Sequence, residues 1–158
     1  MIYIGVDPGK SGGMAVIHWD RIELLPFTKA TEKEIWKFFS RAINPTAGMK
    51  CLIEKVHAMP GQGVTSMFTF GQGYGFLRGC LTAATIPYEE VQPRAWQKAL
   101  KIKPRDSKGG ESKNQFKDRL RGKAQQLFPQ ESVWERTLGE QRAVCDALLI
   151  AEFCRRNS

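Results

Sequence analysis

The stretch Ile2-Tyr3-Ile4-Gly5-Val6-Asp7-Pro8-Gly9-Lys10-Ser11-Gly12-Gly13-Met14-Ala15-Val16-Ile17 decides how the chain is organised. Ile2, Ile4 and Val6 alternate with Tyr3, Gly5 and Asp7, a period of two that predicts a strand. The second face of that strand ends in a carboxylate. Pro8 and Gly9 stop the ladder, and Gly12 and Gly13 permit a tight return into a second strand over 14–19. A strand-end aspartate beside a glycine hairpin is a place to hold a cation or a phosphate.

Three readings of this stretch compete. Asp7 either opens a carboxylate cluster for divalent metal, which needs further Asp or Glu from distant elements, or simply caps a turn. Alternatively the hairpin is the phosphate loop of an actin-like or sugar-kinase-like ATPase. With 158 residues the chain fits one domain with a sizeable core and is too short for the two lobes of that ATPase fold. A hydrophobic content of 42% and four Trp indicate a globular protein, and no apolar run approaches a membrane span. The first strand begins at Ile2, leaving no room for a signal or transit peptide, so a cytoplasmic location is expected. Cys51, Cys80, Cys145 and Cys154 form no CxxC pair and sit among apolar residues, which predicts buried reduced thiols rather than zinc ligands or disulfides.

The net charge of +8 has a definite location. Between Arg94 and Lys123 there are eleven Lys or Arg against Asp106, Glu111 and Asp118, so this stretch carries the entire imbalance. Such concentration is the signature of a polyanion-binding surface.

A third strand is expected over 21–27, making an antiparallel meander. Thr31 and Glu34 have capping-box spacing, and Ile35, Trp36, Phe38, Phe39 and Ile43 follow at helical intervals to an end near Asn44-Pro45. The apolar run 51–56 suits a buried central strand, on which Glu54 is costly unless paired or bound to a metal. A glycine-rich loop over 57–70, carrying His57, Met67, Phe68 and Phe70, then leads into a helix over 71–85. On that helix Gly71, Gly75 and Gly79 recur every four residues, at about 1 kcal/mol each against Ala, so the sheet, a second subunit or a nucleic-acid backbone should approach closely. A fifth strand over 88–91, a helix from Pro93 with Trp96 and Leu100, and a mobile loop over 101–112 follow. The next helix has Phe116, Leu120, Ala124 and Leu127 inside, with Lys113, Lys117 and Arg121 spaced by four to follow phosphates. After a loop over 129–139, a last helix over 141–155 carries Asp146 within its apolar face near its first turns, where the positive helix end or a cation would meet it.

Asp7, Glu54 and Asp146 thus stand at odd places in a recognisable order. That order resembles the ribonuclease H-like nucleases, whose acids converge at the sheet centre. Ile4-Gly5-Val6-Asp7-Pro8-Gly9, then Ile53-Glu54-Lys55-Val56 with Met59-Pro60-Gly61-Gln62-Gly63, then Phe68-x-Phe70-Gly71-x-Gly73-Tyr74-Gly75, and finally Asp146-Ala147-Leu148-Leu149-Ile150-Ala151-Glu152 resemble the motifs of RuvC-type Holliday junction resolvases, in their phage and bacterial form. The resemblance spans nearly the whole chain. It implies an α/β fold with a five-stranded mixed sheet and helices on both faces. It also implies two Mg²⁺ or Mn²⁺ ions held by Asp7, Glu54 and Asp146, and a homodimer that nicks four-way DNA junctions symmetrically to leave 5′-phosphate and 3′-hydroxyl ends. No small-molecule cofactor is implied, and the setting would be a bacterial or phage-infected cell. Met67, Phe68 and Phe70 become candidates to stack at the junction centre, and Lys113, Lys117 and Arg121 to hold its backbone.

One departure stands out. Members commonly place another acid or a histidine shortly before the final Asp, and this chain has Ala143. Either Glu140 or another group supplies that ligand, or an Asp→Ala change traps substrate. Two further functions use the same residues: cleavage of other branched DNA or RNA–DNA hybrids, and junction binding without catalysis.

Overall fold

The computed structural model describes residues 1–43, 47–57, 61 and 63–158. Its strands are β1 (Ile2–Asp7), β2 (Gly13–Ile17), β3 (Ile22–Pro26), β4 (Met49–Glu54) and β5 (Tyr88–Val91). Its helices are α1 (Glu32–Ala42), α2 (Val64–Ala83), α3 (Pro93–Ala99), α4 (Lys113–Leu127) and α5 (Leu138–Arg156), with a 3₁₀ turn at Ser132–Glu135. The strands form one sheet in the order β3-β2-β1-β4-β5. The first three are an antiparallel meander, and β4 and β5 run parallel to β1. This is the expected five-stranded mixed sheet, opening with an antiparallel meander.

The period of two in β1 divides the molecule. Ile2, Ile4 and Val6 pack with Phe38, Phe39, Leu77 and Leu81 from α1 and α2. The opposite face meets α3, α4 and α5 through Ala15, Leu52, Trp96, Leu120, Ala147 and Leu148. Gly5 permits the closest of these approaches, because a Cβ there would lie 2.1 Å from the Ala147 carbonyl oxygen and 2.4 Å from the Ala151 nitrogen. Helix α5 therefore lies directly on β1. One turn earlier the Ala143 carbonyl stands 3.0 Å from the corresponding point on Gly13, so this part of α5 rests where β1 ends.

Several local expectations need correction. Helix α2 begins at Val64, so Met67, Phe68 and Phe70 are helical rather than in a loop. Its N-cap, Gly63, offers no side chain, so the usual start signal is missing from the sequence. The sheet does not approach Gly71, Gly75 and Gly79, since a Cβ at each would meet nothing within 4 Å. Helix α5 starts at Leu138, where Thr137 and Glu140 form a capping box. Asp146 is consequently the ninth of its 19 residues, too far along for the positive helix end to meet it. Helix α1 closes at Ala42, and Asn44-Pro45 lies outside the described residues, as do Ala58, Met59, Pro60 and Gln62 of the following loop. All four cysteines are free and buried. Among the described residues no helix is long and apolar enough to cross a membrane.

Candidate active site

Three elements bring the acids to one end of the sheet. Val6 is in register with Ile53 on the parallel strand β4, which sets Asp7 and Glu54 side by side at adjoining strand ends. Residues in register on parallel strands share a face, and for this pair it is the face covered by α5. Asp146 precedes Ala147, whose carbonyl touches Gly5, so α5 delivers the third carboxylate to the same place.

The site's polar contacts are specific. The Gly9 N–H donates to Asp7 Oδ1 at 3.4 Å, and the indole N–H of Trp96 donates to Glu54 Oε2 at 2.9 Å. Trp96 is wholly buried, so its ring holds this donor in one place. Lys117 Nζ lies 2.5 Å from Asp146 Oδ2 and 3.6 Å from Asp7 Oδ2. The Cys145 thiol also reaches Asp146, donating to Oδ1 at 3.2 Å.

Negative charge is in excess here. Burial and the nearby Asp146 push the Asp7 carboxyl up to about 6, against the opposing pull of Lys117 and the Gly9 N–H. Burial and Asp7 push Glu54 further, to about 8, although the Trp96 donor favours its charged form. Burial alone would lower the Lys117 pKa, but Asp146 and Asp7 raise it above the ordinary range, so the ammonium stays charged. Carboxylates that resist ionisation beside one another are what a cation would relieve.

Among the described residues, no three His, Cys, Asp or Glu side chains stand together as a ready cation cage. Lys117 reaches between two of the acids. The donor chemistry nevertheless suits magnesium or manganese: hard carboxylate oxygens and excess negative charge.

The other expected residues divide. Phe68 is 67% exposed, while Met67 and Phe70 are half-buried. Lys113 is exposed at the start of α4, but Lys117 turns into the acids and Arg121 bonds Gln141 Oε1 at 3.0 Å. Among the described residues, the evenly spaced row of cations is thus one exposed lysine and two engaged side chains. Arg119 binds Glu111 and the carbonyls of Lys103 and Pro104, fastening the loop over 101–112 to α4. Glu140 accepts from the Thr137 N–H and hydroxyl in the α5 capping box, a contact that occupies its carboxylate at the helix start.

Sequence reasoning treated Trp96 as a plain core residue and Lys117 as a surface cation. The capping box of Ser112 and Gln115 together with Phe116 and Leu120 fixes the phase of α4 and could have placed Lys117 at the edge of its inner face. Trp96 gave no comparable signal.

No protein-family model matches the chain, and no curated protein does. Solved structures do. T. thermophilus RuvC in complex with a Holliday junction substrate is 18% identical, with a TM-score of 0.59 over 100% of this chain and 96% of that one. A second Thermus thermophilus RuvC structure is 16% identical, with a TM-score of 0.58 over 99% and 96%. The fold is shared along nearly the full length of each.

Proposed function

We propose that the chain is a structure-specific endonuclease that resolves four-way DNA junctions by metal-dependent nicking, leaving 5′-phosphate and 3′-hydroxyl ends. The observation that carries the reading is the meeting of Asp7, Glu54 and Asp146 at one end of a sheet whose solved counterpart was determined with a Holliday junction. Asp7, Glu54 and Asp146 would hold Mg²⁺ or Mn²⁺, which when bound polarises the scissile phosphate and activates water near neutral pH. The chain's own groups do the rest. Gly9 and Trp96 orient two of the carboxylates, and Lys117 keeps Asp146 and Asp7 drawn together.

The exposed cations Arg94, Lys98, Lys101, Lys103, Lys108 and Lys113 supply the charge that would neutralise DNA phosphates around the cut. Phe68, with its ring in solvent, is the candidate for stacking on an unpaired base. A homodimer would match the twofold symmetry of the junction, and the bare stripe Gly71, Gly75 and Gly79 on α2 is the surface where a second copy could come close.

A second reading, junction binding without cutting, draws on Ala143, which brings no carboxylate, and on the ammonium already lodged between two acids. Both are tested by offering the protein a synthetic four-way junction and an RNA–DNA hybrid with Mg²⁺ or Mn²⁺. The proposal expects paired nicks in the junction and little cutting of the hybrid. Preference for the hybrid would contradict it. Tight junction binding without nicks, persisting in Ala143→Asp, would favour the silent binder.

A further inference from the structure

We propose that Lys117 is a resident cation of the site, standing in for one of two divalent ions, so that each site takes a single ion. The inference deepens the nuclease reading and rests on it.

The geometry starts with the ammonium, 2.5 Å from Asp146 Oδ2 and 3.6 Å from Asp7 Oδ2. This is not a surface lysine that has strayed inward. Its backbone is fixed on both sides against α5, the helix that carries Asp146. Next to Lys117, Asp118 receives two bonds from Arg142, at 2.9 and 2.7 Å. One turn later Leu120, and then Ala124, are buried, and Arg121 reaches Gln141. Ser112 and Gln115 cap the helix start. Any movement of Lys117 away from the acids must come from its own side chain.

Charge and space point the same way. With the three acids in the deprotonated form that binding an ion requires, three carboxylates less one ammonium leave two negative charges, which one divalent ion cancels. A second divalent ion would have to sit beside an ammonium. The place where another oxygen donor could extend the site, one turn before Asp146 on α5, is Ala143, which is 1% exposed and offers only a methyl group. An ammonium has three N–H donors. With two turned to Asp146 and Asp7, one is left for an oxygen of the scissile phosphate, the group a second ion would otherwise hold.

The test is Mn²⁺ titration of the full chain, with free ion measured by electron paramagnetic resonance, repeated on Lys117→Met with thermal melting as the check on folding. One Mn²⁺ per wild-type chain is expected, and Lys117→Met should take a second ion or bind the first at least about tenfold more tightly. Two ions in the wild type would overturn the stand-in role while leaving the metal-dependent reading intact. A folded Lys117→Met equal to wild type in number and affinity would overturn it too. No Mn²⁺ bound by the wild type would overturn both. Should Lys117→Met fail to fold, the wild-type number decides.

Discussion

Glu54→Gln should stabilise the metal-free protein, and only at the higher end of the pH range. In the folded chain Glu54 ionises at about 8 against an ordinary 4.5, because burial and Asp7 disfavour its charged form. Between those values the unfolded chain has released a proton that the folded chain keeps, so each pH unit favours unfolding by about 1.4 kcal/mol. The loss begins as pH rises through the unfolded value and levels off above the folded one. Across the whole interval it accumulates to about 5 kcal/mol, less whatever the site recovers by relaxing and admitting water. Glutamine cannot ionise, and its amide oxygen can still accept from Trp96. In chelator, urea unfolding of the two proteins should therefore give equal stabilities at about pH 4 and a gain of ~2 to 5 kcal/mol for Glu54→Gln at about pH 8.5. Stabilities that run parallel across this range, or a variant less stable than wild type at the alkaline end, would refute the claim that Glu54 is buried among uncompensated negative charge.

Other consequences follow from single contacts. Trp96→Phe keeps the packing but removes the donor that favours ionised Glu54, so the pH–rate profile of DNA cleavage should move to higher pH by about half a unit or more; an unmoved profile would deny Trp96 a positioning role. Gly5→Ala sets a methyl against the α5 backbone, and thermal unfolding should show a loss of about 3 kcal/mol or more. Lys113→Ala should lower the slope of log affinity for junction DNA against log salt by about 1, read from binding titrations at several salt concentrations.

Much of the fold was legible because its signals are local. The alternation in β1, the glycines of its hairpin and the capping box of α1 are each decided within a few residues, and the structure places these elements as expected. Asp7, Glu54 and Asp146 stood out for a related reason: each is a carboxylate where neighbouring residues demand burial. What escaped the reading depends on how helices are rotated against the sheet. Helix α2 starts on a glycine with no capping side chain, which hid its first turns and left Phe68 assigned to a loop. The box of Thr137 and Glu140 lengthened α5 and moved Asp146 to its middle, which leaves the cation, Lys117, and not the helix end as its partner. The four-residue spacing of Lys113, Lys117 and Arg121 predicts a common face, and packing against α5 divides them nonetheless. The indole N–H of Trp96 finds Glu54 across 42 residues of sequence, a contact that no local pattern encodes.

The central claim is that these three acids form a metal-dependent centre that cuts branched DNA. It is tested most directly by incubating an end-labelled four-way junction with the protein in Mg²⁺ or Mn²⁺ and with Asp7→Asn beside it. The account predicts nicks in two strands of like polarity that need the divalent ion, together with an Asp7→Asn protein that binds the junction and leaves it uncut. Nicking that continues in chelator, or that survives Asp7→Asn, would contradict it.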